Sequence, residues 1–191
     1  MYNLPTEIYI QDKAFHIREN GDFRMVLECF SCLEDLELSE NERVLCALII
    51  FYDFENLEDL QKLPDLEEAV KEMYKFFEAD MPEAKKGQDY KLINWDTDSA
   101  MICSAINKVA GIEIRGQQYV HWWTFMGYYL AVGESSLSTV VGIRSKIIKG
   151  KKLEKWEKQF RSENSQYFNW NPKSIQQQED EAWLKSVWNK E

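Results

Sequence analysis

Hydrophobic and polar positions along the chain follow two periods. Residues 7–17 alternate between apolar and polar side chains, which predicts a short β-hairpin with a polar turn at residues 11–13. From residue 22 onward, apolar residues recur every three or four positions, as in amphipathic helices. The chain is therefore expected to be a mostly α, multi-helix globular fold with a short N-terminal β-hairpin. The hairpin should pack on helices, because two strands alone are marginal in water.

Capping residues predict where most of the helices begin. Asp, Asn, Ser and Thr side chains accept hydrogen bonds from the first backbone N–H groups of a helix. The candidate caps are Asp22 or Asn20, Ser39 with Glu42 as a capping box, Asp65, Asp96 or Thr97, and Ser135 or Ser136. Gly111 and Gly133 are expected to end the helices before them, since glycine adopts the left-handed conformation found there. Further helices are predicted for residues 57–63, 151–164 and 174–190.

Residues 111–144, GIEIRGQQYVHWWTFMGYYLAVGESSLSTVVGIR, form an aromatic block in a chain that is otherwise rich in charge. Between Gly116 and Glu134, only His121 ionises near neutral pH. A helical register gives the predicted helix apolar side chains on nearly every face. That helix must be covered, and the sequence leaves open whether its own chain or a partner covers it.

The chain divides at a segment without apolar periodicity. Residues 80–92, DMPEAKKGQDYKL, contain proline, glycine and charge, which predicts a linker. The predicted parts are an acidic hairpin-plus-helices lobe at 1–80, a linker at 81–93, an aromatic and basic helical lobe at 94–165, and a C-terminal amphipathic arm at 166–191. A single domain overall is the alternative. The apolar stripe of the arm should dock either on its own domain or in a groove of another subunit.

Composition and charge narrow the class of protein. The 191 residues are 45% hydrophobic and 14% aromatic, which suits a globular core. The net charge of −10 is uneven: residues 1–100 hold 24 Asp or Glu against 10 Lys or Arg, and residues 101–191 hold 9 against 13. No secretory signal pattern precedes residue 10, and no apolar run reaches the roughly 18 residues of a membrane span. A soluble, cytoplasmic protein with no membrane partner is expected.

The cysteines and histidines have structural interpretations. Cys29 and Cys32 form a C-x-x-C within a helix, without a second pair at zinc-finger spacing. All four cysteines are therefore expected to be buried, reduced thiols. His121 is the only plausible base in the C-terminal half and lacks visible triad partners, so a neutral histidine bonded to a neighbouring helix is expected.

The segment Asp96-Thr97-Asp98 has the D-x-D form that binds a divalent metal in some transferases. A helix N-cap is the favoured interpretation, because no strand-like run precedes the segment and a carboxylate there accepts backbone N–H groups. The sequence contains no phosphate-binding glycine loop, zinc-protease motif or calcium loop. No catalytic, cofactor-binding or metal-binding residue is predicted, and the chain is not expected to be an enzyme.

Residues 144–161 form a basic tract in this acidic chain. Eight side chains are positive and two are glutamates; the positive ones are Arg144, Lys146, Lys149, Lys151, Lys152, Lys155, Lys158 and Arg161. Such a tract binds phosphate backbones in some proteins. A solvated helix face or a protein contact is the favoured interpretation, and nucleic-acid binding is the alternative.

Several segments of the chain resemble the bacteriophage gene product 15 family, found in the tail modules of long-tailed phages and prophages of Gram-positive hosts. They are the hairpin followed by Asp22-Phe23-Arg24, LSENER at 38–43, NWDTDSAMICSAINKVAGIEI at 94–114, VHWWTFMGYYLAV at 120–132 and TVVGIRSKII at 139–148. Together they cover nearly the whole chain to about residue 165.

The resemblance implies a tail assembly chaperone that binds and solubilises the tape measure protein while the tail tube polymerises around it. The implied partners are the tape measure protein and an upstream tail chaperone subunit, with self-association, in the cytoplasm of the infected or lysogenic bacterial host. The family brings no cofactor and no catalytic residue. Partner binding is predicted for Trp122, Trp123, Phe125, Tyr128, Trp183, Leu184 and Trp188. The alternatives are a small nucleic-acid-binding regulator using residues 144–161 and a structural tail component.

Overall fold

The computed structural model describes residues 3–81 and 92–169. These residues are mostly helical, with one two-stranded antiparallel sheet near the N-terminus, so the predicted fold class is confirmed. They group into two compact units. Unit 1 comprises residues 3–81 and 118–126, and unit 2 comprises residues 92–117 and 127–169.

The predicted parts and the two units divide the chain differently. Residues 118–126 belong to the predicted lobe 94–165, and in the structure they group with unit 1. The lobe boundaries themselves stay a prediction. Most of the predicted linker, most of the predicted arm and the helix predicted for residues 174–190 lie outside the described residues.

Unit 1 begins with the predicted hairpin. Strand β1 (Glu7–Ile10) pairs antiparallel with β2 (Lys13–His16), with Ile8 opposite Phe15. The turn residues Gln11 and Asp12 both have positive φ, as a two-residue hairpin turn requires. The side chains of Ile8, Ile10 and Phe15 are buried, so one face of the hairpin contributes to the core of unit 1.

Unit 1 contains three whole helices, and each of them begins at its predicted cap. They are α1 (Phe23–Glu34), α2 (Glu40–Phe51) and α3 (Leu66–Phe77), with a 3₁₀ helix at Leu57–Lys62. Asp22 accepts the N–H of Arg24, Ser39 and Glu42 form the capping box, and Asp65 accepts the N–H of Glu68. The largest fully buried side chains around these helices are Ile10, Ile17, Met25, Leu48, Phe51, Met73, Phe76, Trp122 and Phe125.

Unit 2 contains helices from the second half of the chain. They are α4 (Ser99–Ala110), the residues of α5 (Trp122–Leu130) from Gly127 onward, α6 (Ser136–Ile148) and α7 (Lys155–Glu163). Gly111 follows α4 with a φ of 71°, as predicted, and Ser135 caps α6 in a capping box with Ser138. Buried apolar side chains of this unit include Ile102, Ile106, Ile114, Leu137, Val140 and Ile143.

The predicted cap of α4 is wrong. Neither Asp96 nor Thr97 caps the helix, which begins at Ser99. Their backbone N–H groups donate to Oδ1 of Asn94, so both residues lie in a turn before the helix. Asp98 occupies the N-cap position, but its side chain makes no capping hydrogen bond because it is bound elsewhere.

Two helix ends also differ from prediction. Helix α5 ends at Leu130, before Gly133, and α7 begins at Lys155 instead of Lys151. The start of α7 is set by Glu154 and Glu157, since the Glu154 N–H donates to Oε2 of Glu157 at 2.8 Å. In the described ranges, none of the helices combines the length and apolar character that crossing a bilayer requires.

Candidate functional site

The segment leading into α5 is tied to the start of α1 by one buried carboxylate. Asp22 is 3% exposed. Its Oδ1 accepts the N–H of Arg24 at 2.9 Å, and its Oδ2 accepts the N–H of Val120 at 2.8 Å. The N–H of Phe23 donates to the Val120 carbonyl at 2.9 Å, which gives an isolated antiparallel bridge. The same carboxylate therefore caps α1 and holds the segment before α5.

Arg24 compensates the charge of this buried carboxylate. Its guanidinium donates to both oxygens of Asp22, at 3.1 and 3.2 Å. The guanidinium also lies 4.5 Å from the centre of the Phe23 ring, within cation–π range. Burial of an unpaired carboxylate would cost several kcal/mol, and pairing with the Arg24 guanidinium offsets this cost for Asp22.

His121 is held by hydrogen bonds at both ring nitrogens. Nδ1 accepts the N–H of Trp123 at 3.0 Å, which leaves the proton of the neutral ring on Nε2. Nε2 lies 2.9 Å from the Pro5 carbonyl, to which it donates. Burial lowers the pKa of His121, while the Pro5 carbonyl and the Asp22 charge act in the opposite direction. The predicted neutral, hydrogen-bonded histidine is confirmed, but its partner is the N-terminal segment and not a helix.

The two tryptophans that follow cap the C-terminus of α3. The indole N–H of Trp122 donates to the Phe77 carbonyl at 2.9 Å, and that of Trp123 donates to the Phe76 carbonyl at 3.0 Å. The last carbonyls of a helix lack partners within the helix, so they need donors from elsewhere. His121, Trp122 and Trp123 therefore form a clasp: the histidine caps the start of α5, and the indoles close the end of α3.

Stacked aromatic rings fill the space behind this clasp. Phe125 stacks on Phe23 at 4.5 Å between ring centres and on Trp122 at 5.7 Å. Phe30 meets Trp122 edge-on at 5.7 Å. Gly21 completes the packing, because a Cβ there would lie 2.7 Å from Cζ of Phe76. Trp122 and Phe125 of the aromatic block are thus covered within unit 1.

The residues predicted to bind a partner differ in how far they are exposed. Trp122 and Phe125 are each 1% exposed, whereas Trp123 and Tyr128 are half-buried. Trp183, Leu184 and Trp188 lie outside the described residues. A partner could reach Trp122 or Phe125 only if unit 1 opened. Partner binding by the seven residues stays a prediction.

Unit 2 contains a buried ion pair that the sequence did not predict. Arg144 is 1% exposed and Asp98 0%. The guanidinium donates to both carboxylate oxygens, at 2.5 and 2.9 Å. It also donates to the carbonyls of Leu92, at 2.9 Å, and Tyr167, at 2.6 Å. Arg144 thus joins three separate stretches of unit 2.

The basic tract at residues 144–161 consequently has a smaller exposed part than the sequence indicates. Arg144 is buried, and Lys146 binds the buried carboxylate of Glu157 at 2.6 Å. This bond to Lys146 lowers the pKa of Glu157. The exposed cations are Lys149, Lys151, Lys152, Lys155, Lys158 and Arg161.

The cysteines are reduced, and the described part of the chain contains no cluster placed to bind a metal ion. All four cysteines are free thiols, with Cys29 and Cys103 buried and Cys32 and Cys46 half-buried. Burial raises the pKa of Cys29, so its thiol stays protonated at neutral pH. Within residues 3–81 and 92–169, no group of three or more His, Cys, Asp or Glu side chains is placed to hold a metal ion.

Comparison with known protein families finds one family model that matches most of the chain. The model of the bacteriophage Gp15 protein family matches residues 2–168. The chain belongs to this family. The resemblance inferred from the sequence is therefore confirmed, and the match includes the clasp and the residues of the buried ion pair. No curated protein and no solved structure matches the chain.

The sequence predicted only part of what the buried residues Asp22, Asp98 and Arg144 do. Asp22 was predicted as a cap, but not as the residue that holds Val120. Asp98 and Arg144 lie within two of the family-like segments, yet each had a simpler local interpretation, as part of a capped turn and as part of a basic tract. Nothing in their spacing indicates that they pair, because 46 residues separate them.

Proposed function

We propose that this phage protein is a tail assembly chaperone that binds and solubilises the tape measure protein during tail tube assembly. Membership of the bacteriophage Gp15 family over residues 2–168 carries the proposal. The chain acts by binding and not by catalysis. Its partners are the tape measure protein and an upstream tail chaperone subunit in the cytoplasm of the host cell.

The chemistry of the described side chains supports a binding role. Both nitrogens of His121 are engaged by backbone groups, so the ring has no nitrogen left for proton transfer. Trp122 and Trp123 also direct their polar atoms to backbone carbonyls. These side chains maintain the fold, and client binding falls to surfaces outside the clasp.

Exposed apolar side chains supply candidates for those surfaces. A chaperone for a long amphipathic helix needs apolar contacts that accept many sequences. Large apolar side chains are exposed in both units, namely Leu4, Tyr9, Leu36, Leu57, Leu66 and Tyr119 in unit 1 and Val109, Ile112, Leu130, Ile147 and Trp156 in unit 2. The half-buried Tyr128 adds to them.

A nucleic-acid-binding function has less support. Arg144 is buried against Asp98, and Lys146 is bound to Glu157, so neither is available to a phosphate backbone. The remaining cations belong to a chain with a net charge of −10, which disfavours long-range attraction of a polyanion.

Co-expression tests the proposal. The tape measure gene of the same phage would be expressed alone and together with the affinity-tagged full chain. We expect the chain to raise the soluble fraction of the tape measure protein several-fold and to co-purify with it. An equally insoluble tape measure protein in both cultures, with no co-purification, would contradict the proposal.

Two variants refine this experiment. Trp183→Ala combined with Trp188→Ala removes predicted client contacts, and we expect about tenfold less co-purified tape measure protein, the scale of losing one or two binding hot spots. Lys71→Ala combined with Lys108→Ala is the control, because it also truncates two long side chains, both exposed and neither a predicted client contact. Equal losses in both variants would argue against the C-terminal tryptophans as the contact.

A further inference from the structure

Helix α7 exposes a tryptophan among cations. Trp156 is 54% exposed, although its indole N–H donates to Oε2 of Glu154 at 3.0 Å. Helical geometry places Lys155 between Trp156 and Lys158 around the helix, and both lysines are exposed. We call Trp156, Lys155 and Lys158 the α7 surface. Aromatic rings are enriched at the centres of protein interfaces, and the rims around them are polar.

Unit 1 exposes an apolar side chain among carboxylates. No residue of the 3₁₀ helix Leu57–Lys62 is buried, and Leu57 is 59% exposed. Glu55 and Glu58 flank it and are themselves exposed. We call Leu57, Glu55 and Glu58 the Leu57 surface.

The carboxylates of the Leu57 surface differ from their acidic neighbours. Asp53 pairs with Arg18 and Asp59 pairs with Lys62. Neither Glu55 nor Glu58 has a cationic partner among the described residues. Their charges therefore remain uncompensated at the surface.

The two surfaces match in charge and in apolar character. Residues 3–81 hold 20 Asp or Glu against 7 Lys or Arg, whereas residues 149–161 hold 6 Lys or Arg against 2 Glu. Opposite charges around two exposed apolar side chains favour association and set its orientation. An isolated exposed apolar residue needs no explanation. The opposite charges that surround Trp156 and Leu57 are what indicates a contact.

We propose that the α7 surface of one copy docks on the Leu57 surface of a second copy. The contact joins different surfaces of identical chains, so it is head to tail unless a twofold axis repeats it within one dimer. Repetition of such a contact gives a ring if the rotation closes and a filament if it does not. The inference goes beyond the proposed function, since a structural tail component could use the same contact.

An acidic protein surface fits the α7 surface better than a nucleic acid does. One of the two guanidinium groups of the basic tract, that of Arg144, is buried and so cannot bind a phosphate. An acidic patch on a second copy is present at the concentration of the protein itself.

Crosslinking of the full chain tests the proposal. Equal amounts of ¹⁴N- and ¹⁵N-labelled protein would be mixed and treated with a carbodiimide, which joins amines to carboxylates in direct contact. Mass spectrometry should find Lys155 or Lys158 of one copy joined to Glu55 or Glu58 of a differently labelled copy. Such links only within single copies, or a monomer at every concentration and salt, would overturn the proposal.

Charge reversal provides the second arm. Lys155→Glu with Lys158→Glu, or Glu55→Lys with Glu58→Lys, should each weaken self-association about tenfold or more in sedimentation experiments at low salt. Mixing the two variants should restore association, because each reversed surface then meets its complement. Lys71→Glu with Lys108→Glu changes the net charge as much as the first variant at other exposed positions and should have no such effect.

Trp156→Ser should weaken association as well, and it leaves every charge in place. Circular dichroism and urea unfolding would verify that each variant is folded. Association that persists in both charge-reversed variants would refute the contact. Binding of duplex DNA or RNA that is abolished by Lys155→Glu with Lys158→Glu, without any change in self-association, would assign the α7 surface to nucleic acid instead.

Discussion

At the residue scale, Gly21 occupies the most constrained backbone position of unit 1. Its φ is +79°, and a Cβ would lie 2.7 Å from Cζ of Phe76 and 3.0 Å from Nε2 of His121. We expect Gly21→Ala to lower the free energy of unfolding by about 2–4 kcal/mol, from left-handed strain and overpacking together. Urea unfolding followed by tryptophan fluorescence measures this change.

Gly142→Ala is the matched control for that experiment. Gly142 lies inside α6, and a Cβ there would have no atom within 4 Å. Alanine loses less conformational entropy than glycine when a helix forms, so this variant should be more stable by about 0.5–1 kcal/mol. The same chemical change is thus expected to have opposite signs at the two positions. Equal effects would show that the contacts at Gly21 do not matter.

His121 should make the stability of unit 1 depend on pH. Burial lowers its pKa below the ordinary value of 6.5, so the unfolded chain binds the proton more readily than the folded one. Protonation would also place an N–H of the ring against the N–H of Trp123. The contribution of His121 to the free energy of unfolding is complete above about pH 6.5, and it is lost as the pH falls through the folded-state pKa of His121.

The measurement is the urea midpoint between pH 7.5 and 5. We expect the midpoint to fall less steeply in His121→Asn, whose amide oxygen can still accept the Trp123 N–H but does not titrate. His16→Asn serves as the control, since His16 is exposed on β2 and its loss should leave the slope unchanged. If the urea midpoint of His121→Asn fell with pH as steeply as that of the wild type, His121 would not be the cause of the pH dependence.

At the scale of elements, the indoles of the clasp satisfy the end of α3. Trp122→Phe removes the donor to the Phe77 carbonyl and leaves that buried oxygen without this bond. We expect a loss of about 2–3 kcal/mol in unfolding free energy and faster hydrogen exchange in the last turn of α3. Trp156→Phe, at an exposed indole, should change stability by less than about 0.5 kcal/mol. Unchanged exchange at α3 in Trp122→Phe would rule out the capping role.

The ion pair of Arg144 and Asp98 fixes the elements of unit 2. Removing one partner of a buried pair leaves an uncompensated charge, so Asp98→Ala should cost about 3–5 kcal/mol. Limited proteolysis and urea unfolding should both report the loss. The exposed pair of Arg115 and Glu113, 2.8 Å apart, provides the comparison. Arg115→Met should leave the midpoint unchanged, since solvent screens that pair. A small effect of Asp98→Ala would mean that the hydrogen bonds of Arg144 to the Leu92 and Tyr167 carbonyls suffice.

At the scale of the whole molecule, the proposed function has a consequence for the finished phage. A chaperone acts during tail assembly and leaves before the tail is complete, whereas a structural tail component stays. We expect quantitative mass spectrometry to detect the protein in infected cells and to find it absent from purified mature particles. A stoichiometric amount in the particles would favour the structural alternative.

Local chemistry explains which predictions succeeded. The hairpin, the capping box of Ser39 and Glu42, the Asp65 cap and Gly111 at the end of α4 all follow from contacts between residues a few positions apart. The failed cap at Asp96 and Thr97 lies in a turn before the helix, where the backbone N–H groups of both residues donate to Oδ1 of Asn94. That turn places Asp98 at the N-cap position, and the spacing of the capping residues in the sequence does not show it.

The sequence by itself determined the helical class, the position of most elements and membership of the bacteriophage Gp15 family. The tertiary structure decided what the polar and aromatic residues do. The partner of Trp122 lies 45 residues away, that of Arg144 46, that of Asp22 98 and that of His121 116. A cap or turn is favoured by neighbours in the chain, whereas burial brings distant donors and acceptors together and requires that each be satisfied. For that reason Arg144, a residue of the basic tract, is buried and paired with Asp98, and Trp122 and Phe125 of the aromatic block lie in the core.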